Sequence, residues 1–115
     1  MDIKMVVKQI KALRLGDLIQ VDWYDASDCS GPMSDHKKPE YLVNEWGVYL
    51  GVEGSPKHIL LGKNYIERDR CWHATRIPLS LIQVVSIVAK KVVKPVWLRR
   101  YSVMRYRRDR LVVRR

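Results

Sequence analysis

Two cysteines and two histidines are the side chains best suited to bind a metal ion. Cys71 and His73 are two positions apart and would point to one face of a strand, while Cys29 and His36 lie in a loop that could reach them. Together they could form a tetrahedral zinc site. Their spacings match no common zinc finger, and a buried free cysteine is ordinary. We therefore expect no metal and no cofactor, and keep this site as the alternative.

Acid–base chemistry has one candidate location, in the same loop. Asp25, Asp28, Asp35 and His36 could act there as acid and base. No nucleophile elbow or glycine-rich phosphate loop accompanies them, and an acidic loop is commonly a solvated surface. We expect neither enzymatic activity nor a small-molecule substrate.

Charge favours the binding of a polyanion. Residues 89–115 contain eleven of the 22 Lys and Arg and one acid, so they carry the whole formal net charge of +10, while residues 1–88 are formally neutral. Cations that neutralise phosphates release condensed counterions, which drives binding to nucleic acid. A solvated tail that only aids solubility is the alternative. The candidate phosphate-binding residues are Lys90, Lys91, Lys94, Arg99, Arg100, Arg105, Arg107, Arg108, Arg110, Arg114 and Arg115.

Aromatic residues among these cations favour RNA. Trp97, Tyr101 and Tyr106 could stack on bases or anchor the segment, and arginine both forks onto phosphate and stacks. Arginine-rich extensions suit the crevices of folded RNA, whereas a duplex DNA binder would more often have a basic domain face. We predict a non-enzymatic RNA-binding protein of a ribonucleoprotein such as the ribosome, where it could also contact a protein partner. The alternatives are a DNA-binding protein of chromatin or a mobile element, and an adaptor domain that binds a peptide.

Hydrophobic periodicity predicts a mainly β domain. Apolar residues three and four apart in residues 2–13 favour a short amphipathic helix capped by Asp2, although a strand remains possible. Ile19, Val21 and Trp23 alternate with polar residues, as in a half-buried strand. Residues 25–40 lack an apolar period and form a long loop. The predicted strands are 18–24, 41–52, 57–62, 71–77 and 82–88, with a tight turn at 78–81.

These elements predict a small five-stranded SH3-like barrel in residues 1–88, followed by a basic extension in residues 89–115. Residues 97–112 form either an amphipathic helix or an extended arm without a fixed conformation before it binds. Six aromatic residues would fill the core, with Tyr24 and Tyr41 exposed, or else would line an aromatic cage. They are Trp23, Tyr24, Tyr41, Trp46, Tyr49 and Trp72.

Several motifs carry a resemblance to known proteins. They are Gly16-Asp17-x-Ile19-x-Val21-x-Trp23, Trp46-Gly47-x-Tyr49-Leu50-Gly51 and Ile77-Pro78-x-Ser80-x-Ile82. Over about residues 13–88 the chain resembles a loose group of small, mostly uncharacterised barrel proteins of phages, plasmids and archaea, which implies the barrel but no activity. The first strand also looks like that of toxin ribonucleases, but the Arg-Pro stretch that follows it in those enzymes has no counterpart here.

Bulk composition predicts where the protein works. The first residues lack the apolar run of a signal peptide, and no apolar stretch is long enough to span a bilayer. Abundant Val, Ile and Leu with few Asn and Gln fit a thermophile. We expect a cytoplasmic protein without a membrane partner.

Overall fold

The computed structural model describes residues 3–25, 41–105 and 113–114. Its helix, α1, spans Ile3–Lys11. Val6, Ile10 and Leu13 are buried because their spacing brings them to one side, and this side packs on the domain. The Gln9 side chain accepts a hydrogen bond from the Val85 amide at 2.9 Å, which fixes α1 against the last strand of the body. The short predicted helix is confirmed, while its cap Asp2 lies outside the described residues.

One mixed sheet forms the body of the protein. Its strands are β1 (Leu18–Asp25), β2 (Tyr41–Glu53), β3 (His58–Ile66), β4 (Cys71–Pro78), β5 (Ile82–Ala89), β6 (Ser102–Arg105) and β7 (Val113–Arg114). All five predicted strands are confirmed, and a 3₁₀ turn at Leu79–Leu81 stands where the tight turn was predicted.

The sheet is larger and more open than the predicted five-stranded barrel. Within the described residues the strand order is β5-β1-β2-β3-β4-β6-β7, so β5 and β7 form the two edges and the sheet does not close on itself. The pairs from β5 to β4 are antiparallel, whereas β6 runs parallel to β4. The additional strands come from the C-terminal extension, which therefore belongs to the folded sheet.

Two hydrophobic clusters cover opposite faces of the sheet. Ile59 and Leu61 of β3 belong to the first cluster, which also contains the buried side of α1. Leu60, between them, belongs to the second cluster. Neighbouring residues in a strand point to opposite faces, so the two clusters lie back to back. The second cluster also receives the apolar residues of the extension, namely Val93, Trp97, Leu98, Tyr101 and Val103.

The predicted helix of residues 97–112 is wrong over its described part. Pro95–Leu98 forms a single 3₁₀ turn, and Ser102–Arg105 is a strand. β4 offers unpaired backbone groups at the sheet edge, and pairing β6 along it satisfies them. It also buries Val103, which is 3% exposed. An unstructured arm is equally wrong for these residues, and residues 106–112 lie outside the described part of the chain.

A helix that could cross a bilayer, with enough length and apolar character, is absent from the part of the chain that the structure describes.

Candidate nucleic-acid interface

The extension is anchored by a cluster of three aromatic rings. Trp97 stacks on Tyr65 of β3 with ring centroids 5.0 Å apart and an interplanar angle of 22°. Trp72 of β4 meets Tyr65 at 5.1 Å and the edge of Trp97 at 6.4 Å. Such offset and edge-on pairs stabilise a fold beyond their buried area. Trp97 is thus engaged within the protein, and it holds the extension on the sheet.

Polar contacts fix the same segment. The Trp72 indole donates a hydrogen bond to the backbone oxygen of Trp97 at 2.9 Å. The Trp97 indole donates to the Glu67 carboxylate at 3.2 Å. Lys94 Nζ lies 3.8 Å from Glu67 and 5.5 Å from the centroid of the Trp97 ring. Lys94, one of the predicted phosphate-binding cations, is therefore already engaged within the protein.

A buried carboxylate ties the beginning of the extension to the body. Asp17 is 1% exposed, and its two carboxylate oxygens accept hydrogen bonds from the amides of Arg14 at 3.0 Å and Lys91 at 3.2 Å. Beside it, Gly16 has φ +95°, and a Cβ built there would lie 2.8 Å from Leu98 Cδ1. Glycine is needed here because it tolerates this backbone conformation and lets Leu98 approach.

Four arginines from two separate segments converge beside the anchored extension. Arg68 and Arg70 lie in the turn between β3 and β4, and Arg99 and Arg100 lie between the 3₁₀ turn and β6. The Ser102 amide donates to the Arg70 backbone oxygen at 2.9 Å, which joins the segments. We call these four arginines the arginine surface.

Two open concavities define the arginine surface. Arg70 and Arg100 line both of them, Arg68 lines one, and Arg99 lines the other. All four residues are exposed. Asp69, the acid that also lines the first concavity, forms an ion pair with Arg68 at 3.1 Å. Four arginines and one aspartate leave this surface with a formal charge of +3.

The backbone of the arginine surface is unusual. Arg70 and Arg100 both have φ +48°, in the left-handed region that ordinary residues seldom adopt. Each such residue costs about 1–2 kcal/mol relative to a right-handed conformation. The hydrogen bond and strand pairing around them hold this geometry, so the fold sets the backbone positions of these two arginines.

The predicted cations are placed unevenly. Arg99 and Arg100 belong to the arginine surface, and Lys90 and Lys91 are exposed directly after β5. The backbones of Arg105 and Arg114 lie in β6 and β7. Outside the described residues are Tyr106, Arg107, Arg108, Arg110 and Arg115.

Sequence reasoning missed Arg68 and Arg70. They stand in the polar link between β3 and β4 next to Glu67 and Asp69, so the local formal charge is zero and gave no signal. Two arginines in one short polar link were the available clue. Their convergence with the extension depends on the pairing of β4 with β6, which the sequence does not display.

Tyr101 is another of the predicted stacking residues, and it packs against the second cluster. Burial raises the pKa of its phenol above the ordinary value of 10.0. The same cause raises the pKa of Tyr49 in the first cluster.

The aromatic prediction holds for most of the body. Tyr49 and Trp72 are buried, and Tyr24 and Tyr41 are exposed as expected. Trp46 is 52% exposed, so its assignment to the core is wrong. Its side chain lies on the face of the sheet opposite Tyr49. The second cluster covers part of that face but does not include Trp46.

The metal and acid–base candidates fall largely outside the described residues. This applies to Cys29, His36, Asp28 and Asp35. Cys71 is buried, with its Sγ 3.7 Å from the Trp72 backbone oxygen. Within residues 3–25, 41–105 and 113–114, His, Cys, Asp and Glu form no group of three or more that could hold a metal, His73 included.

Comparison of the chain with protein-family models, curated proteins and solved structures found no match.

Proposed function

We propose that this chain is a non-enzymatic nucleic-acid-binding protein that prefers RNA and works within a ribonucleoprotein such as the ribosome. The observation that carries the proposal is the convergence of four exposed guanidinium groups, from the β3–β4 turn and the extension, on two open concavities. Exposed arginines spread over a surface would only aid solubility. Arginines that line shared concavities can contact the same phosphate or successive phosphates of one strand.

The preference for RNA follows from arginine chemistry. A guanidinium plane forks onto phosphate and stacks on an unpaired base, and RNA loops present both groups together. The concavities are open to solvent and lined by arginine, which fits a backbone with splayed bases. Binding to DNA instead is an outcome of the test below.

The scaffold in this proposal is an SH3-like barrel made by the first five strands, which stays open between β5 and β4. Their order, β5-β1-β2-β3-β4, supports it, as does the 3₁₀ turn before β5. The extension then adds β6 to the edge that β4 would otherwise present.

The salt dependence of binding tests the proposal. A labelled single-stranded RNA, an RNA hairpin and a DNA duplex are titrated with the full chain between 50 and 200 mM salt, and log K is plotted against log salt. Each phosphate contact contributes about −0.7 to the slope for a single strand. The double variant Arg70→Gln/Arg100→Gln should make the slope shallower by about 1.4 on this scale.

A matched control removes the same charge elsewhere. Lys8 and Lys11 are exposed on α1, which packs against the other face of the sheet. Lys8→Gln/Lys11→Gln should leave the slope nearly unchanged. If both double variants bind RNA alike, or if the unaltered chain binds no nucleic acid, the proposal is wrong. A tighter complex with the DNA duplex than with either RNA would reassign the partner.

A protein-interaction module is the second candidate function. Leu42 and Trp46 of β2 are 56% and 52% exposed and, four residues apart in a strand, lie on one face beside Tyr24. Such an apolar surface suits a peptide partner. Binding through it would barely change with salt and would be lost in Trp46→Ala.

A further inference from the structure

One concavity of the arginine surface has a chemically mixed lining. Arg68, Arg70 and Arg100 line it together with Asp69 and Ser102. Its volume is about 440 Å³, within the range of about 300–1,000 Å³ that is usual for pockets that bind small molecules. Three cations, one acid and one hydroxyl therefore surround a space that is large enough for the sugar and phosphate of one nucleotide.

Asp69 is the part of this lining that phosphate binding does not explain. A carboxylate beside three arginines repels phosphate and lowers the formal charge of the concavity from +3 to +2. Its ion pair with Arg68 is exposed, with the aspartate and arginine side chains 50% and 87% accessible, and exposed pairs add little to stability. A ligand group that donates a hydrogen bond, in contrast, would favour a carboxylate at this position.

The Asp69 carboxylate is able to accept from a further donor. Arg68 donates to both of its oxygens, from Nε to Oδ1 at 3.1 Å and from Nη2 to Oδ2 at 3.3 Å. An ionised carboxylate has about four acceptor sites, so about two remain for another donor. Half of the Asp69 side chain is exposed, so a bound molecule can reach the carboxylate.

Ser102 adds a hydroxyl whose backbone position is set by the fold. Its amide donates to the Arg70 backbone oxygen at 2.9 Å. Its Oγ lies 3.5 Å from the same oxygen, and such a long contact leaves the hydroxyl able to rotate toward a ligand. The hydroxyl can therefore donate to a phosphate oxygen while the neighbouring guanidinium groups contact the same phosphate.

We propose that this concavity binds one ribose–phosphate unit of the RNA, and that Asp69 selects ribose over deoxyribose by accepting a hydrogen bond from the 2′-hydroxyl. This hydroxyl is the group by which a protein distinguishes RNA from DNA at a single site. An acidic side chain also binds the ribose 2′-hydroxyl in dinucleotide-binding folds, so the two groups are chemically matched. The inference rests on the proposed RNA-binding function and names the residue that sets its preference for RNA.

Oligonucleotides that differ only at the 2′ position test this inference. Oligouridine, oligodeoxyuridine and 2′-fluoro-oligouridine, each about ten nucleotides long, are titrated with the full chain at one salt concentration. The 2′-fluoro sugar keeps a ribose-like conformation but has no hydroxyl to donate. A hydrogen bond to a charged acceptor is worth about tenfold in affinity, or about 1.4 kcal/mol. Oligouridine should therefore bind about tenfold more tightly than either of the other two oligomers.

Two substitutions of Asp69 separate its acceptor atoms from its charge. Asp69→Ala should reduce the ratio of oligouridine to oligodeoxyuridine affinity to about one. Asp69→Asn removes the same charge but keeps one acceptor oxygen, and a neutral hydrogen bond is about half as strong, so a ratio of about threefold should remain. Asp22→Ala is the matched control, because it removes a partly exposed acid on β1, three strands away from β4. It should keep the ratio unchanged.

The possible outcomes distinguish the two proposals. Oligodeoxyuridine or the 2′-fluoro oligomer binding as tightly as oligouridine, or a tenfold ratio that survives Asp69→Ala, would overturn the ribose site while leaving RNA binding intact. An equal reduction of the ratio in Asp22→Ala would overturn it as well. If Asp69→Ala does not fold, the 2′-fluoro comparison on the unaltered chain decides. No binding to any of the oligomers would overturn RNA binding and the ribose site with it.

Discussion

Replacing Trp97 by alanine should destabilise the whole domain, because its ring joins the extension to the sheet. Its side chain is half-buried and stacks on Tyr65 at 5.0 Å. Full truncation of a buried Trp costs about 3–5 kcal/mol, and partial burial reduces this to about 2 kcal/mol. The lost aromatic pair adds about 1 kcal/mol. The exposed hydrogen bond to Glu67 adds little, since water can replace it.

The expected loss is therefore about 3 kcal/mol in the free energy of unfolding, or about 12 °C in Tm for a domain of this size. Urea unfolding followed by far-UV circular dichroism measures it, because that signal does not depend on the tryptophan removed. Trp97→Phe should recover most of the loss, since it keeps an aromatic ring against Tyr65.

Trp46 offers a matched control on the same sheet. It is 52% exposed, so Trp46→Ala should change stability by less than about 0.5 kcal/mol. Equal losses for the two alanine variants would refute the conclusion that the extension is part of the core. A cooperative transition of unchanged m-value is expected for both, because one sheet contains the body and β6.

Three further outcomes follow from the packing. Gly16→Ala should cost about 2 kcal/mol through its φ of +95° and its contact with Leu98, measured by urea unfolding. In a Leu98→Ala background Gly16→Ala should lower the free energy of unfolding by less, because only the backbone strain remains. An equal loss would show that the contact with Leu98 does not contribute. Asp17→Ala should cost about 3 kcal/mol, since the amides it accepts from at Arg14 and Lys91 are left unpaired; a loss under 1 kcal/mol would contradict this role. The raised phenol pKa values of Tyr49 and Tyr101 mean that the native state retains these protons more tightly than the unfolded chain. Stability should be intact below pH 10.0 and fall as the pH rises through the folded pKa values, and Tyr49→Phe/Tyr101→Phe should show a smaller fall in the same unfolding assay.

The position of the extension also decides how RNA binding can be studied. A chain that ends at Val88 would lose Val93, Trp97 and Val103 from the second cluster and expose apolar surface on the sheet. Weaker RNA binding by this shortened chain could not be assigned to the lost charge alone, because the chain would also lose part of its folding. The glutamine substitutions at Arg70 and Arg100 avoid this problem because both residues are exposed, and the change removes the charge while a polar side chain remains.

The body could be predicted because its signals are local. Ile19, Val21 and Trp23 alternate with polar residues, and that period of two specifies a strand whatever its neighbours are. The same rule could not place Trp46. Alternation predicts that a strand has two different faces. Which residues on each face become buried depends on segments that are distant in the sequence.

The extension illustrates the opposite case. Trp97, Tyr101 and Met104 are spaced as on a helix, yet Met104 lies in a strand that pairs with β4. Short-range spacing is compatible with both conformations, and a free sheet edge decides between them.

The sequence by itself determined that a neutral, mainly β body precedes a strongly basic segment, because charge and hydrophobic period are properties of the residues in order. Only the tertiary structure decided that residues 93, 97, 98, 101 and 103 of this segment pack on the sheet, and that Arg68 and Arg70 join Arg99 and Arg100. The reason is physical: the convergence arises from the pairing of β4 with β6, between residues about 30 positions apart, and long-range pairing depends on the free energy of the whole fold.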